Sequence, residues 1–390
     1  MSFFIDAAYG TLKKYGEELS GDIVNIEKLE DCTIIILADG LGSGVKANTI
    51  ASLTSRIASN MLKNGANMYE TVDAVANMLP VSATRKIPYS TFTIIKIYNN
   101  GQTYIAEYNN PSIFAMRNSK SININMNEVN INGKLIKEST LFLQEDDLLT
   151  IVSDGVLHAG LDNVLDFGWQ REDVENYLTR KNCNTLNVQA LNKDLLNACL
   201  NLYSYKPGDD TTVASIKVIK PSVVNIFTGP PENKKDDGIF IEKFMSSKGK
   251  KIICGGTAAN IAQRELKRNL KVNLDFLDTD LPPTATMDGI DLITEGVLTL
   301  KAVVETLKKY LDTSYEKMDY IYSNNKNGAD ALLKILLEEC THLNLWVGKA
   351  ENPAHRNLNL PTGLNSKSQL VKRLSNYMKA LGKEVTINHI

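Results

Sequence analysis

Acidic residues beside glycine recur at four places where extended runs begin or end: Ser20-Gly21-Asp22, Ala38-Asp39-Gly40, Ser153-Asp154-Gly155 and Gly208-Asp209-Asp210. Glycine at such turns lets the backbone approach a bound ion or substrate closely. Carboxylates gathered in a partly buried site repel one another unless cations neutralise them. Hard divalent cations with oxygen ligands, Mg²⁺ or Mn²⁺, suit that donor set. Asp-Gly is also a common turn dipeptide, so each occurrence alone reads as a turn. Four in order along the chain, each following or opening a β-prone run, read as a site.

The elements that must position these acids follow from pattern. Glu30–Leu37 is β-prone and ends at Asp39. A glycine-rich turn, Asp39-Gly40-Leu41-Gly42-Ser43-Gly44, precedes a helix from about Val45, with Ile50, Leu53, Ile57 and Met61 at helical spacing and Gly65 closing it. A second helix is expected over Tyr69–Leu79. Ser90–Tyr98 and Gln102–Tyr108 flank Asn99-Asn100-Gly101, a hairpin turn. Strands are expected at Ser112–Arg117, Ser121–Asn127, Leu141–Leu143 and Asp147–Val152. Helices at Arg171–Leu178 and Val188–Leu202 lead to a last strand, Val213–Val218. Strands in runs with inserted helices predict an α+β sandwich with helices outside the sheets.

After Pro221 the rhythm changes. Short apolar strands (Val223–Phe227, Lys251–Cys254, Ile290–Thr294, Leu343–Val347) alternate with helices near Thr257–Leu266, Leu298–Leu311, Asp330–Glu339 and Lys367–Leu381. That alternation predicts a smaller parallel α/β domain over 221–390, following a first domain over 1–220. Cys254-Gly255-Gly256-Thr257 ends a strand and opens a helix, with Thr257 as N-cap. Helix starts of this kind attract anions. Thr228-Gly229-Pro230-Pro231, Thr294-Glu295-Gly296 and Asn352-Pro353-Ala354-His355 stand at other strand ends and could line one pocket with it. Glycines that merely make tight turns explain the same residues.

Length and composition bound the rest. The chain has 390 residues, 43% hydrophobic and 23% charged, with net charge near −2. Two domains are expected, and a general nucleic-acid binder is not. No apolar run reaches bilayer length, and the start has no basic segment or long apolar stretch, so neither a membrane span nor a signal peptide is expected. The five cysteines form no Cys-x-x-Cys pair. A cytoplasmic setting without zinc site or disulfides is expected.

Residues 5–220 resemble the metal-dependent protein phosphatases of the protein phosphatase 2C class, in their bacterial branch typified by stage II sporulation protein E. Lys13 to Asp22 resembles the opening motif. Ala38-Asp39-Gly40-Leu41-Gly42-Ser43-Gly44 is similar to the family's Asp-Gly-Met-Gly-x-Gly. Tyr108-Asn109-Asn110-Pro111, Ser153-Asp154-Gly155-Val156 and Asp209-Asp210-Thr211-Thr212 resemble the later motifs. The resemblance implies a PP2C-like β-sandwich flanked by helices. It implies that Asp22, Asp39, Asp154 and Asp209 are catalytic metal ligands for two divalent cations, Mn²⁺ or Mg²⁺. Asp39 would bridge them, the Gly40 carbonyl would complete one, and Asp210, at the neighbouring position of the last motif, would be a weaker metal candidate than Asp209. It implies hydrolysis of a phosphoserine or phosphothreonine protein, a bacterial signalling regulator, by metal-activated water. A phosphoprotein-binding pseudo-phosphatase and a hydrolase of a small phosphoester are the alternatives.

Two departures qualify that expectation. Leu41 stands where animal members carry a histidine thought to protonate the leaving group. No arginine precedes Arg56, so the early phosphate-gripping arginine is missing. Lys13 and Lys14 read as a solvated pair, or as an attraction for phosphate. His158 is expected in a surface or packing role, because the loop after Val156 should turn away. The second domain resembles a carboxyl-terminal extension of some anaerobe phosphatases of this branch. A sensory, docking or dimerising role, the last giving a homodimer, is expected for it.

Overall fold

The computed structural model describes residues 2–78, 90–161, 164–181, 187–272, 283–312, 327–349 and 367–389. The chain divides into two compact units, Met1–Lys220 and Pro221–Ile390. The segment 352–355, with His355, and the end of the second helix at Leu79 lie outside the described residues.

In the first unit, β1 (Phe4–Leu12), β2 (Asp22–Lys28) and β3 (Cys32–Gly40) precede α1 (Gly44–Lys63) and α2 (Met68–Met78). Next come β4 (Ser90–Tyr98), β5 (Gln102–Tyr108), β6 (Phe114–Arg117) and β7 (Lys120–Ser121). Then follow β8 (Asn127–Ile131), β9 (Lys134–Phe142) and β10 (Leu148–Val152). The unit closes with α3 (Asp154–Leu157), α4 (Arg171–Arg180), α5 (Val188–Leu202) and β11 (Thr211–Ile219).

These strands form two sheets, β2-β3-β4-β5-β9-β8 and β1-β11-β10-β6-β7, with every pairing antiparallel. β3 explains the layering. Its side chains alternate between faces, yet both faces are apolar. Ile35 and Leu37 pack with Ile95, Leu149, Ile151, Ala214 and Ile216 between the sheets. Ile34 and Ile36 pack with Ala58 and Leu62 of α1 and Val72 and Val75 of α2. The first unit is therefore an α+β sandwich with helices outside the sheets.

Several expectations needed correction. The expected strand Ser121–Asn127 pairs only at its two ends, Ser121 with Met116 and Asn127 with Glu138. Ile122, Ile124 and Met126 still alternate and pack against the inter-sheet core, so the pattern records burial without a ladder. Of the expected strand Leu141–Leu143, Leu141 and Phe142 are only the end of β9, which forms a hairpin with β8 about Asn132-Gly133. Asn132 and Gly133 both have positive φ, as a two-residue hairpin turn requires. β1 and β2, unforeseen as strands, pair with β11 and β3.

The second unit runs β12 (Val223–Thr228), α6 (Asp237–Ser246), β13 (Lys250–Cys254), α7 (Gly256–Leu266), β14 (Lys271–Val272) and β15 (Ala285–Met287). It continues with β16 (Ile290–Thr294), α8 (Val297–Asp312), α9 (Gly328–Glu338), β17 (His342–Val347), α10 (Lys367–Ala380) and β18 (Glu384–His389). β16-β13-β12-β17-β18 is a parallel sheet, with β14 and β15 added antiparallel at one edge. α8, α9 and α10 supply the core on one face. Phe240, Ile241 and Phe244 of α6 and Ala258 to Ala262 of α7 supply the other. This is a doubly wound α/β unit. The N-cap of α7 is Gly255, at φ 130°, so Thr257 lies inside the helix and is not its cap. Gly229 and Gly348 close the turns after β12 and β17 against each other: a Cβ at Gly348 would lie 2.4 Å from the Gly229 carbonyl oxygen.

The two-sided burial of β3 has a measurable consequence. Ile36→Ala should cost roughly 2–5 kcal/mol in urea unfolding of the first unit, the range for large-to-small changes in a tight core. A loss within experimental error would contradict the described packing.

Candidate metal centre

Antiparallel pairing sets Asp22 directly opposite Asp39. Directly opposed residues in such a pair have closely spaced side chains. Asp22 opens β2 and is buried; Asp39 lies near the end of β3 and is half-buried. The other sheet delivers the remaining acids. Asp154 begins α3 directly after β10, and Asp209 lies in the loop entering β11. β10 and β11 are neighbours, so the end of one and the start of the other share one sheet edge.

Close contacts fix this convergence. A Cβ at Gly40 would lie 2.1 Å from the Ala47 carbonyl oxygen of α1. A Cβ at Gly155 would lie 2.1 Å from the Asp210 carbonyl oxygen. The Gly40 N–H donates to the Gly21 carbonyl at 3.1 Å. The Tyr203 hydroxyl donates to the Gly155 carbonyl at 2.7 Å. Asn48 Nδ2 donates to the Ser20 carbonyl at 2.8 Å, and Ser43 Oγ to Glu17 Oε1 at 2.7 Å, which ties the Lys13–Asp22 loop to α1.

Asp209 and Asp210 separate in three dimensions. Asp210 is buried, and its two oxygens accept the backbone N–H groups of Lys14 at 3.0 Å and Gly21 at 2.8 Å. Its carboxylate therefore staples the opening loop to β11. Asp209 is half-buried and faces Asp154 and the Lys14 charge.

The electrostatics are those of an unneutralised acidic cluster. Burial first, then the charges of Asp210 and Asp154, push Asp22 up to about 8, against the lowering influence of the Ser153 and Thr212 hydroxyls. Burial, then the charges of Asp22, Asp154, Asp209 and Asp210, push Asp39 up to about 9. Asp209 is raised mainly by burial and by Asp154. Asp22 Oδ2 is buried without a hydrogen-bond partner. An orphaned buried carboxylate oxygen among further carboxylates is a donor set that fits hard divalent cations.

Two residues of the site were not foreseen in their roles. Asn110 Nδ2 donates to Thr93 Oγ1 at 2.8 Å and to the Val152 carbonyl at 3.3 Å, tying the last residue of β10 to the facing sheet. Its place in the motif Tyr108-Asn109-Asn110-Pro111 was the only sequence signal. His158, expected to turn away, instead follows one turn of helix after Asp154. Its ligating nitrogen and oxygens of Asp154 and Asp209 all lie within 4.8 Å of one another. The spacing of four residues, which places side chains on one helical face, was the missed signal.

The sequence family described as Stage II sporulation protein E (SpoIIE) matches residues 30–219. The matched span lies within the first unit. Asp39, Asp154 and Asp209 fall inside that span, and Asp22 just before it. Among curated proteins, no sequence matches the chain. One similar solved structure is the PP2C phosphatase domain, with a fragment of the regulatory domain, of the cell fate determinant SpoIIE from Bacillus subtilis. It is 19% identical, with TM-score 0.48, over 56% of this chain and 63% of that one. The RsbU and RsbW domains of a Mycobacterium tuberculosis protein are 16% identical, with TM-score 0.48, over 57% and 61%. RsbX in complex with magnesium is 18% identical, with TM-score 0.41, over 55% and 95%. The chain thus spans less than two thirds of the first and second of these structures. No helix among the described residues is long and apolar enough to cross a membrane.

The raised carboxyls fix the sign of a pH effect. A carboxyl whose folded pKa exceeds its unfolded value contributes stability at low pH that is lost as pH rises through the folded pKa. The loss should end near pH 8 for Asp22 and near pH 9 for Asp39. Metal-free protein should therefore melt at a lower temperature at about pH 9 than at about pH 6. Asp39→Asn should flatten that slope, and added Mn²⁺ should reverse it. A wild-type melting temperature independent of pH over this window would contradict the described electrostatics.

Proposed function

We propose that the first unit is a metal-dependent serine/threonine phosphatase acting on a phosphorylated regulatory protein. The observation that carries this reading is the convergence of Asp22, Asp39, Asp154 and Asp209 from two sheets, with a buried oxygen of Asp22 left without a partner. Those carboxylates, with the Gly40 carbonyl, would hold two divalent cations, Mn²⁺ or Mg²⁺. Such ions supply an activated water and neutralise charge on the phosphoryl oxygens.

The chain's own residues set the rest. Asp210, stapled to Lys14 and Gly21, holds the opening loop so that Asp22 meets Asp39. Asn110 and Tyr203 fix the turn that carries Asp154. Lys14, whose charge is felt at Asp209, provides a cation for a phosphate dianion in a chain with no early arginine. Leu41 has no proton to give, so it does not serve as the leaving-group acid. The doubly wound second unit, 221–390, serves as a regulatory or ligand-binding partner to this site. The cytoplasm is the compartment this reading assigns.

Hydrolysis of an aryl phosphate and of a phosphoserine peptide, with and without Mn²⁺, tests the proposal. Wild type should turn over both only with metal, and Asp39→Asn should lose roughly a hundredfold or more in kcat. Undiminished turnover by Asp39→Asn, or turnover by fully chelated wild type, would contradict it. Mn²⁺ binding without turnover would favour a phosphoprotein-binding module.

A further inference from the structure

The Asp154–Leu157 turn places a nitrogen donor at the edge of the acidic cluster. Asp154 and His158 are four residues apart, and the His158 backbone N–H donates to the Asp154 carbonyl at 2.9 Å. Their side chains therefore leave one helical face. Across from them stands Asp209, and the ligating atoms of all three lie within 4.8 Å of one another. The turn beneath is braced, with Gly155 pressed on the Asp210 carbonyl and held by Tyr203. The His158 side chain is exposed and has no hydrogen-bond or ion-pair partner among the described residues, so neither packing nor a structural contact accounts for its position.

A second observation points to a ligand. Asp22, which strand pairing sets opposite Asp39, is 4% exposed and its Oδ2 lacks a partner. A buried carboxylate oxygen without a donor is one that a cation would satisfy.

We propose that Asp154, His158 and Asp209 form a mixed nitrogen–oxygen cation locus that takes a first-row transition metal, Mn²⁺, Co²⁺ or Zn²⁺, in preference to Mg²⁺. The proposal rests on the metal-dependent reading of the cluster and adds an imidazole ligand to it. An ion about 2.1 Å from each donor separates the donors by about 3–4 Å, which small side-chain rotations from the described positions reach. Imidazole suits transition metals, whereas Mg²⁺ keeps oxygen ligands and water. His158 would therefore set which cation the site selects, and Asp209 would be shared between the loci.

The test compares the full-length chain with His158→Gln and His158→Ala. Pulsed EPR of the Mn²⁺-loaded protein reads imidazole nitrogen directly, and calorimetric titration with Co²⁺ and with Mg²⁺ reads selectivity. Wild type should show nitrogen coupling, and both variants should lose it. Co²⁺ affinity at one locus should fall by about tenfold or more while Mg²⁺ affinity is unchanged. Melting of the metal-free variants at the wild-type temperature checks that they are folded. Absence of nitrogen coupling in Mn²⁺-loaded wild type, or its persistence in both variants, would overturn the His158 assignment and leave the phosphatase reading standing. Failure of wild type to bind any divalent cation would overturn both.

Discussion

Mutual repulsion of buried carboxylates is the constraint on which the first unit turns. Asp22 and Asp39 face each other across an antiparallel pair, and Asp154 and Asp209 approach from the second sheet. Charges of one sign in a poorly solvated site cost several kcal/mol each unless they are paired. The protein meets part of that cost by protonation, since Asp22 and Asp39 are held near 8 and 9. Divalent cations would relieve the rest. Stability and chemistry are therefore two readings of one cluster.

The fold's effort goes into holding that unfavourable arrangement. Ile35 and Leu37 bury one face of β3 between the sheets while Ile34 and Ile36 bury the other under the helices, so the strand that delivers Asp39 has little freedom. At its end, Gly40 lets α1 approach to a distance no side chain would permit. On the opposing side, Asn110, Tyr203 and Ser153 fix the end of β10: the Ser153 hydroxyl accepts the Thr212 N–H at 2.9 Å. Arg117 reaches the buried Asp147 with two bonds, Nε to Oδ1 at 2.7 Å and Nη2 to Oδ2 at 2.6 Å, and so braces the turn that starts β10. Charge-assisted pairs of this fork geometry are among the stronger polar contacts.

Much of this was legible in sequence where the signal is local. The hairpin Ser90–Tyr98 with Gln102–Tyr108, the helix Val188–Leu202 and the strand Ile290–Thr294 have the bounds their patterns suggest. Asp39 and Asp154 announce themselves because each follows an apolar strand and precedes glycine. What was not legible depends on pairing between distant segments. β1 is defined by β11, some two hundred residues later, and β2 by the register that sets Asp22 against Asp39. No local pattern could separate Asp209 from Asp210. Only the fold shows that the oxygens of Asp210 are occupied by the N–H groups of Lys14 and Gly21. The apolar alternation at Ile122, Ile124 and Met126 misled because burial beside a sheet resembles pairing within it.

The central claim is that these four aspartates surround divalent cations. Anomalous diffraction from crystals of the full chain soaked in Mn²⁺ tests it most directly. Manganese peaks bounded by the carboxylates of Asp22, Asp39, Asp154 and Asp209 are the predicted result. A crystal with manganese bound elsewhere on the chain and none among those carboxylates would contradict it.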